Sequence, residues 1–430
     1  MSTLKAVRGT RDLLPPETAL WNRIEATARA VFARYNFGEI RTPVFEDTAL
    51  FARGVGEETD IVSKEMYTWE DKARAQSEKT QTLTLRPENT AGVVRAYIEH
   101  KLGETGQLQK LYYIGPQFRR ERPQKGRYRQ FSQIGAEVIG PPSAGSESPL
   151  RDAEVLEMLA TLLDELGITG WTLHINSVGS AADRARYNET LREALIPLAP
   201  KMCVDCQRRA VTNPLRVLDC KVPEDQPIIE TLPKIADSLD EESKQHFAAV
   251  TAALDAADVP YTRNHRLVRG LDYYTRTTFE FTHGGLGAQN ALLGGGRYDG
   301  LSEAIGGPKA PGIGFAMGED RLVLALMAEK ELAPPQVDAY IAPLGEAMNP
   351  AALALARELR RTGLAVELGE GSFRLKKSFE AAEKTARRIV ILGEDELASG
   401  ILTVKEFATG TQTKVPRAEL AAVLAAPANA

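Results

Sequence analysis

YYIGPQFRRERPQKGRYRQFSQIGAEVIG, residues Tyr112–Gly140, is the stretch that most constrains the fold of this 430-residue chain. It predicts two β-strands joined by a charged loop, because Pro123 and Gly126 are typical turn residues. Six of the eleven residues from Arg119 to Arg129 are basic and one is acidic. Arginine guanidinium groups match phosphate oxygens with paired hydrogen bonds, so the loop is a candidate polyanion site.

The second strand of this hairpin has two distinct faces, because strand side chains alternate with a period of two. One face predicts core packing, and the other places an aromatic ring, an amide and a carboxylate beside the arginines. The ring can stack on a nucleobase, and the other two groups suit a small ligand with hydrogen-bond donors. A solvated hairpin with an ordinary charge bias is the alternative. The ligand face comprises Phe131, Gln133, Gly135 and Glu137, and the core face comprises Ser132, Ile134, Ala136 and Val138.

Residues 118–137, FRRERPQKGRYRQFSQIGAE, resemble motif 2 of class II aminoacyl-tRNA synthetases in its histidyl-tRNA synthetase form. Other stretches resemble the same family, so the resemblance covers nearly all of the chain. It implies an α+β fold: an antiparallel sheet flanked by helices, a helical insertion and a C-terminal α/β anticodon-binding domain. The implied boundaries are 1–180 and 264–332 for the two parts of the catalytic core, 181–263 for the insertion and 337–424 for the anticodon-binding domain.

Composition narrows the function classes further. The net charge of −5 argues against a uniformly basic nucleic-acid-binding protein, so contacts with RNA require local basic patches. The sequence shows neither a signal peptide nor an apolar run of about 18 residues. Three cysteines in a chain of this length favour a reducing compartment. We therefore expect a cytoplasmic protein with no membrane partner.

The segment before the hairpin predicts a loop over Val7–Glu17, a helix over Thr18–Tyr35 and a strand over Phe37–Val44. These residues by themselves indicate only a helix that packs on the core. The resemblance implies motif 1, which forms the dimer interface in the family, and therefore a homodimer.

Residues 83–95, LTLRPENTAGVVR, predict a strand, a turn and then a helix. Glu88, Asn89 and Thr90 fall at the helix start, where the helix N-terminus stabilises a carboxylate, so N-capping is the simplest interpretation. The resemblance implies that Glu88 and Thr90 hold the α-ammonium group of the amino acid. On the basis of this resemblance, we assign all three residues to the predicted histidine site.

Residues 181–263 predict charge-rich helices and contain Cys203, Cys206 and, later, Cys220. A C-x-x-C pair raises a zinc hypothesis. A closed structural site needs four ligands, however, and no histidine lies nearer in the sequence than His246. We therefore predict no metal ligands and no tightly bound metal. The resemblance implies that this insertion embraces the acceptor arm of tRNA.

Residues 267–281, LVRGLDYYTRTTFEF, suggest strands but carry too many polar side chains for a plain core segment, because buried Tyr and Arg need partners. This stretch and LGGGRYDGL, residues 293–301, resemble the two signatures specific to histidyl-tRNA synthetases. The resemblance implies that Arg269 lies over the α-phosphate and that Tyr273 and Tyr274 line the histidine pocket. A tyrosine-rich structural strand is the alternative for Tyr273.

Residues 311–326, PGIGFAMGEDRLVLAL, predict a Gly-rich strand that continues into a helix. Arg321 is unusual there, because a cation opposes the helix dipole in the first turn. Such a break of a local rule marks a functional candidate. The stretch resembles motif 3, whose arginine packs on ATP, and this implies that Phe131 and Arg321 enclose the adenine ring.

Strand and helix patterns alternate from Val337 onward, which predicts an α/β domain with a mainly parallel sheet. Between Arg357 and Arg388, nine residues are basic and five are acidic. A solvated helix face is the simplest interpretation of this bias. The resemblance implies an anticodon-binding domain, with Phe373–Arg388 as a candidate RNA-facing helix.

The resemblance also implies a two-step reaction. Histidine and ATP give histidyl-adenylate and diphosphate, and the histidyl group then passes to the 3′ end of tRNA(His) with release of AMP. Arg119 and Arg269 would flank the α-phosphate as the catalytic residues. Arg127 and Arg321 would hold the outer phosphates, with Mg²⁺ bound together with ATP.

The same resemblance implies roles for the remaining candidate residues. Gln133 would orient the amino acid backbone together with Glu88 and Thr90. Glu137 and Tyr274 would read the imidazole. Gln124 and Arg129 would meet the acceptor end of the tRNA.

Three other interpretations are open at this stage. The chain could be a synthetase-like regulatory subunit of ATP phosphoribosyltransferase, which binds histidine without chemistry. It could be a class II synthetase for another amino acid, although LVRGLDYYTRT disfavours that. An RNA-binding module without enzyme activity would leave the pocket of Gln133 and Glu137 unexplained.

Overall fold

The computed structural model describes residues 3–56, 59–72, 80–124, 126–268, 271, 273–287, 290–329 and 336–426. The chain divides into two compact units, Met1–Glu331 and Leu332–Ala430. Across these described ranges, no helix combines the length and the apolar character that a membrane crossing requires.

The strands are numbered in chain order through both units. They are β1 (Gly38–Glu39), β2 (Phe45–Asp47), β3 (Tyr67–Asp71), β4 (Gln81–Leu85), β5 (Gln109–Phe118), β6 (Gln130–Ile139), β7 (Trp171–Ser177), β8 (Thr262–Arg263), β9 (Thr275–His283), β10 (Ala291–Arg297), β11 (Gly312–Gly318), β12 (Val337–Pro343), β13 (Val366–Leu368), β14 (Ala386–Leu392), β15 (Ile401–Glu406) and β16 (Gln412–Pro416).

The α-helices are numbered in the same way. They are α1 (Glu17–Arg34), α2 (Thr48–Val55), α3 (Thr90–Glu99), α4 (Pro149–Leu166), α5 (Ala181–Leu195), α6 (Val204–Thr212), α7 (Gln226–Ile229), α8 (Glu241–Ala256), α9 (Leu301–Ala304), α10 (Glu319–Glu329), α11 (Asn349–Arg361), α12 (Leu375–Thr385), α13 (Glu394–Ser399) and α14 (Arg417–Ala425).

An eight-stranded sheet with the order β1-β5-β6-β11-β10-β9-β7-β8 forms the centre of the first unit. The outermost pairing at each edge is parallel, and the pairings between them are antiparallel. The predicted hairpin is confirmed as β5 and β6, which pair from Gln109 opposite Ile139 to Phe118 opposite Gln130. The α+β class with an antiparallel sheet flanked by helices is also confirmed.

One face of this sheet forms the main hydrophobic core of the unit with α1, α4, α8 and α10. The predicted core face of β6 is confirmed, because Ile134, Ala136 and Val138 are almost completely buried in that core. The opposite face carries Phe131, Gln133 and Glu137. The helical layer therefore covers one side of the sheet and leaves the side with the polar residues for a ligand.

A buried ion pair ties the sheet to this helical layer. Arg297, at the end of β10, is fully buried and donates to the Asp152 carboxylate in the first turn of α4. Its guanidinium also donates to the Ser146 carbonyl at 2.8 Å and to Asp299 at 3.0 Å. Removing one partner would leave a buried charge, which typically costs about 3–5 kcal/mol.

A second hydrophobic core lies within residues 178–239, around Tyr187, Leu191 and Ile235. It includes Cys206 and Cys220, both buried, and it draws on α5, α6 and the short turns that follow them. This core agrees with the expected helical segment after residue 181. The predicted limits of the insertion stay predictions, because the division into two units leaves this part of the chain within the first unit.

The expected strand over Phe37–Val44 is wrong except at Gly38–Glu39. Pro43 lacks the N–H group that a sheet ladder uses. The neighbouring carbonyl groups have a different partner, because Arg86 donates to the carbonyls of Thr42 and Pro43 at 3.0 and 3.3 Å. The guanidinium group of Arg86, which is distant in the sequence, therefore takes the place of the strand hydrogen bonds that the local pattern predicted.

The second unit has a mixed sheet with the order β13-β12-β14-β15-β16. The pairings of β12 with β13 and β14 are parallel, and the pairings of β15 with β14 and β16 are antiparallel. The expectation of a mainly parallel sheet is therefore wrong. The chain between Leu392 and Ile401 is too short for a parallel crossover, which needs about a dozen residues.

Candidate active site

The open face of the large sheet forms the floor of a cavity of about 980 Å³. One row of paired residues crosses this face with side chains at its two ends and almost none in its middle. Gly294 and Ala316 line the cavity and bring the backbone of β10 and β11 close to any ligand, whereas the Tyr113 ring covers Gly135. From edge to edge the row consists of His174, Glu280, Gly294, Ala316, Gly135 and Tyr113.

Glu137 lies on the same face of β6, where it is completely buried and does not line the cavity. One carboxylate oxygen accepts a hydrogen bond from the Thr90 hydroxyl and the other from the Tyr298 hydroxyl, both at 2.7 Å. Gly314 on the neighbouring strand leaves room for the carboxylate, since a Cβ there would lie 1.7 Å from it. Burial raises the Glu137 pKa to about 8, although both hydroxyl groups oppose the shift.

Glu88 caps the N-terminus of α3, as its position in the sequence suggests, and it also lines the cavity. Its two carboxylate oxygens accept from the backbone N–H groups of Thr90 and Ala91 at 2.8 and 3.0 Å, which caps α3. Glu88 and Thr90 both line the cavity. Capping and ligand contact are therefore compatible, because the cap holds the carboxylate at the cavity wall.

Asn89 has a different environment from its two neighbours and does not line the cavity. Its side-chain oxygen accepts from the Thr42 hydroxyl at 2.6 Å and from Arg86 at 3.4 Å. The side chain therefore helps to hold the loop before β2. The structure gives no support to the predicted contact between Asn89 and histidine.

Arg119 and Phe131 face each other across the ends of β5 and β6. The Arg119 guanidinium lies 5.3 Å from the centre of the Phe131 ring, and its Nε donates to the Pro87 carbonyl at 2.8 Å. Both residues line the cavity. The cation is thus held by an aromatic face and a carbonyl on one side, with its remaining donors available to an anion.

Arg321 reaches the same cavity from the first turn of α10. Burial and the nearby charge of Arg127 both lower its pKa, and Glu280 opposes that shift. Arg127 lines the cavity from the hairpin loop and pairs with Glu121 at 3.4 Å. Two guanidinium groups on separate elements thus repel each other at a site where an anion would stabilise both.

The aromatic part of the cavity contains Tyr273 and Tyr274, whose ring centres are 4.7 Å apart. Tyr298 lies against Tyr273 at 5.9 Å and connects this pair to Glu137. Gln133 lines the same cavity, and its side-chain oxygen is buried without a hydrogen-bond partner among the described residues. A buried unpaired acceptor is costly, so it is suited to a ligand N–H group.

The two residues predicted to meet tRNA lie in the hairpin loop, outside the cavity lining. The backbone N–H and C=O groups of Gln124 pair with those of Arg127 to close the loop, and Gln124 is exposed. Arg129 donates from its backbone to Gly9 at 2.7 Å and from its guanidinium to the Arg8 carbonyl at 3.2 Å. Arg129 thus anchors the N-terminal loop to the hairpin.

The structure brings most of the predicted site residues into one cavity, while Glu137 is buried outside the cavity lining and Arg269 lies outside the described residues. The cavity lining includes Glu88, Thr90, Arg119, Arg127, Phe131, Gln133, Tyr273, Tyr274 and Arg321.

The sequence-based prediction omits several residues that line the cavity or contact Glu137. Glu280 had a local signal, since it alternates with the buried Phe279 and Phe281 and must therefore face the other side of β9. Tyr298 had no such signal, because its contact with Glu137 spans 161 residues. Arg216 joins the cavity from the insertion and pairs with Asp60 at 3.5 Å.

Fold and site together define the class of the protein. The antiparallel sheet with one helix-covered face, and the motif 2 and motif 3 arginines on its open face, correspond to the catalytic domain of a class II aminoacyl-tRNA synthetase. A family model described as histidyl-tRNA synthetase matches residues 9–322, and an anticodon-binding-domain model matches residues 338–426. The chain belongs to the histidyl-tRNA synthetase family.

Individual relatives agree with this assignment over nearly the whole chain. The histidine–tRNA ligase of Koribacter versatilis (strain Ellin345) is 75% identical over 419 residues, covering 97% of this chain and 95% of the relative. That of Solibacter usitatus (strain Ellin6076) is 56% identical over 428 residues, covering 99% and 100%. The crystal structure of apo S. aureus histidyl-tRNA synthetase has a TM-score of 0.78 at 38% identity, covering 98% of this chain and 100% of that one.

Proposed function

We propose that the cavity on the open face of the sheet is where histidine and ATP react to give histidyl-adenylate and diphosphate. The observation that carries the proposal is the convergence of Arg119, Arg127 and Arg321 on a cavity that also holds a capped carboxylate and two tyrosines. A triphosphate needs several cations, and an amino acid needs an acceptor for its ammonium group. The cavity offers both within 980 Å³.

ATP would bind at the arginine-rich end of the cavity. Phe131 and Arg321 would enclose the adenine, Arg119 and Arg269 would stabilise charge on the α-phosphate, and Arg127 would hold an outer phosphate. Mg²⁺ would enter with ATP and neutralise phosphate charge. Glu280 lines the same cavity and offers carboxylate oxygens, the kind of ligand that Mg²⁺ prefers.

Histidine would bind at the tyrosine end. Glu88, Thr90 and Gln133 would hold its ammonium group, and Tyr273 and Tyr274 would enclose the imidazole. Both oxygens of Glu137 already accept one hydrogen bond, and in the ionised form of the side chain each retains a second lone pair for an imidazole N–H group. The histidine carboxylate is ionised at neutral pH, so its attack on the α-phosphorus needs no protein base.

The experiment that tests this proposal is ATP–diphosphate exchange with each amino acid in turn. We expect exchange with histidine alone, whereas a histidine-binding regulatory protein would give none.

Glu137→Ala should raise the KM for histidine by about 100-fold or more, because a polar specificity contact is lost. Glu303→Ala, an exposed carboxylate, should leave that KM unchanged. Wild-type histidine affinity in Glu137→Ala would contradict the assigned role.

Transfer to tRNA would use the exposed hairpin loop. Substituting Gln124 should slow aminoacylation more than ATP–diphosphate exchange, because Gln124 lies outside the cavity lining. Arg129 is less informative, since its substitution would also release the N-terminal loop. Equal slowing of both reactions by Gln124→Ala would count against a role in tRNA contact.

The second unit would bind the anticodon through the start of α12. Lys376 and Lys377 are exposed there, and Lys377 lies 3.6 Å from the Phe373 ring centre. Lys376→Glu should raise the KM for tRNA(His) without changing exchange. Lys414→Glu is the matched control, because Lys414 is an exposed lysine on β16 of the same unit.

We further propose that the enzyme is a cytoplasmic homodimer, as the family resemblance implies. Phe45 and Trp69 form an aromatic pair on the small β2-β4-β3 sheet, with ring centres 6.1 Å apart. They are 52% and 40% exposed, which suits an interface. Light scattering should show that Phe45→Asp weakens the dimer, while Leu353→Asp, an exposed apolar residue of the second unit, does not.

A further inference from the structure

Three cysteines and one carboxylate converge in the second core of the first unit. The sulfur atoms of Cys203, Cys206 and Cys220 and a carboxylate oxygen of Asp225 all lie within 4.8 Å of one another. Cys206, Cys220 and Asp225 are buried. The sequence-based prediction of no metal rested on a missing fourth ligand, and Asp225 supplies one.

The separations fit a tetrahedral ion. Bonds of about 2.3 Å to sulfur and about 2.0–2.2 Å to oxygen place two sulfur ligands about 3.8 Å apart and a sulfur and an oxygen about 3.6 Å apart. The sulfur atoms of Cys203 and Cys220 are 3.9 Å apart. The Cys220 sulfur lies 3.3 Å from Asp225 Oδ2. Small side-chain movements would therefore complete the coordination.

The backbone around the cluster is arranged to support thiolate ligands. The N–H group of Cys206 donates to the Cys203 sulfur at 3.5 Å, and that of Val222 donates to the Cys220 sulfur at 3.4 Å. The Cys203 N–H group donates to Asp225 Oδ1 at 3.0 Å, which orients the carboxylate towards the sulfur atoms. Such outer contacts fix ligands and support their negative charge.

We propose that Cys203, Cys206, Cys220 and Asp225 form a structural Zn²⁺ site. Three thiolates and one carboxylate in a buried tetrahedral arrangement suit Zn²⁺, whereas Mg²⁺ and Ca²⁺ prefer oxygen ligands. Binding would release the thiol protons to solvent. All four protein ligands occupy the coordination sphere, so the ion would stabilise structure and would not activate water.

The proposed ion would order a segment that borders the candidate active site. Residues 213–220 run from the end of α6 to Cys220 and include the short 3₁₀ helix Pro214–Val217. Arg216 and Cys220 from this segment line the large cavity. A metal that joins the start of α6 to Cys220 would therefore hold one wall of the cavity in place.

The test is zinc analysis of the purified full-length protein expressed with added zinc. We expect about one zinc ion per chain in the wild type and less than a tenth of that in Cys220→Ser. Asp225→Asn should lower zinc affinity about tenfold or more. Asp205→Asn is the matched control, because this exposed carboxylate lies between Cys203 and Cys206 without joining the cluster. Wild-type zinc content in this variant supports the proposal.

A second measurement on the wild type avoids variants that fail to fold. Cobalt in place of zinc should give the absorption bands of a tetrahedral thiolate complex, and a mercurial that blocks thiols should release the metal. Wild-type protein that takes up neither zinc nor cobalt would overturn the proposal. A disulfide between Cys203 and Cys220 in the freshly purified protein would overturn it as well.

Discussion

Single buried groups control both the shape of the site and the pH response of this enzyme. Glu137 shows how narrow the tolerance is, because its carboxylate occupies space that one methyl group on the next strand would fill. Protein interiors are packed at crystal-like density, so such a clash moves either the backbone or the carboxylate.

Gly314→Ala should displace the Glu137 carboxylate, since the added Cβ would lie 1.7 Å from its Oε2 atom. We expect a loss of stability of about 1–3 kcal/mol and histidine binding at least about tenfold weaker, measured by thermal unfolding and calorimetric titration. Gly318→Ala is the control on the same strand, because a Cβ there meets nothing within 4 Å. Equal melting temperatures for the two variants would contradict the packing argument.

Glu319 is a buried carboxylate in the first turn of α10, and neither of its oxygens makes a hydrogen bond among the described residues. Burial and the charge of Glu25 raise its pKa to about 8. The folded protein therefore keeps this group protonated at a pH where the unfolded chain ionises it. Its contribution to stability is present below about pH 4.5 and is lost as the pH rises to about 8.

Glu319→Gln should abolish this part of the pH dependence. Relative to wild type, the variant should gain on the order of 3 kcal/mol between pH 5 and pH 8.5, since each pKa unit corresponds to about 1.4 kcal/mol. Calorimetric unfolding at both pH values measures the difference. Glu303→Gln, which alters an exposed carboxylate, should follow the wild type, and a Glu319→Gln curve parallel to wild type would refute the assignment.

At the scale of secondary structure, the N-terminus of α3 combines a cap with a ligand contact. Glu88→Ala should lower stability by about 1 kcal/mol, because two backbone N–H groups lose their acceptor. It should also weaken histidine binding. Asp240→Ala removes a carboxylate cap from α8, which lies outside the cavity lining, and should reduce stability alone. If both variants bind histidine equally well, Glu88 acts only as a cap.

The same scale shows what sequence patterns can predict. The faces of β6 were predictable, because the period of two is local and decides which side chains share a face. The strand expected over Phe37–Val44 failed because Arg86 takes up its carbonyl groups. The environment of Asn89 was equally unpredictable from the sequence, since its hydrogen-bond partner Thr42 lies 47 positions away.

Family resemblance predicted the residues of the cavity better than hydrophobic periodicity did. The reaction requires particular residue types at positions where folding alone would accept others. Neither source indicated Asp225 as a neighbour of the cysteines or Tyr298 as a partner of Glu137. Both contacts join parts of the chain that only the tertiary fold brings together. One sequence contains no signal for such contacts.

At the scale of the whole molecule, the division into two compact units predicts two unfolding transitions. The second unit has its own core, built from β12, β14, β15, α11 and α14. Residues 332–430, expressed alone, should unfold cooperatively with an enthalpy of about 60–80 kcal/mol, as is usual for 100 residues. A broad, non-cooperative melt would show that the unit depends on the rest of the chain.

A variant at the buried Arg388 would show which unfolding transition of the full-length protein belongs to the second unit. Arg388 donates to Glu406 at 2.9 Å and to the Leu424 carbonyl at 3.1 Å. Arg388→Ala should destabilise the second unit by about 3 kcal/mol, because it leaves Glu406 without its cation. Only the transition that matches the isolated unit should move to lower temperature.

Gly294 and Ala316, which pair across β10 and β11, make this part of the cavity floor mostly main chain. A floor of this kind cannot be remodelled by exchanging side chains, because any larger residue would fill the space that the ligand needs. Changes of amino acid preference must therefore arise at the rim, among the tyrosines and carboxylates. Directed evolution of this enzyme would be expected to leave these two floor positions untouched.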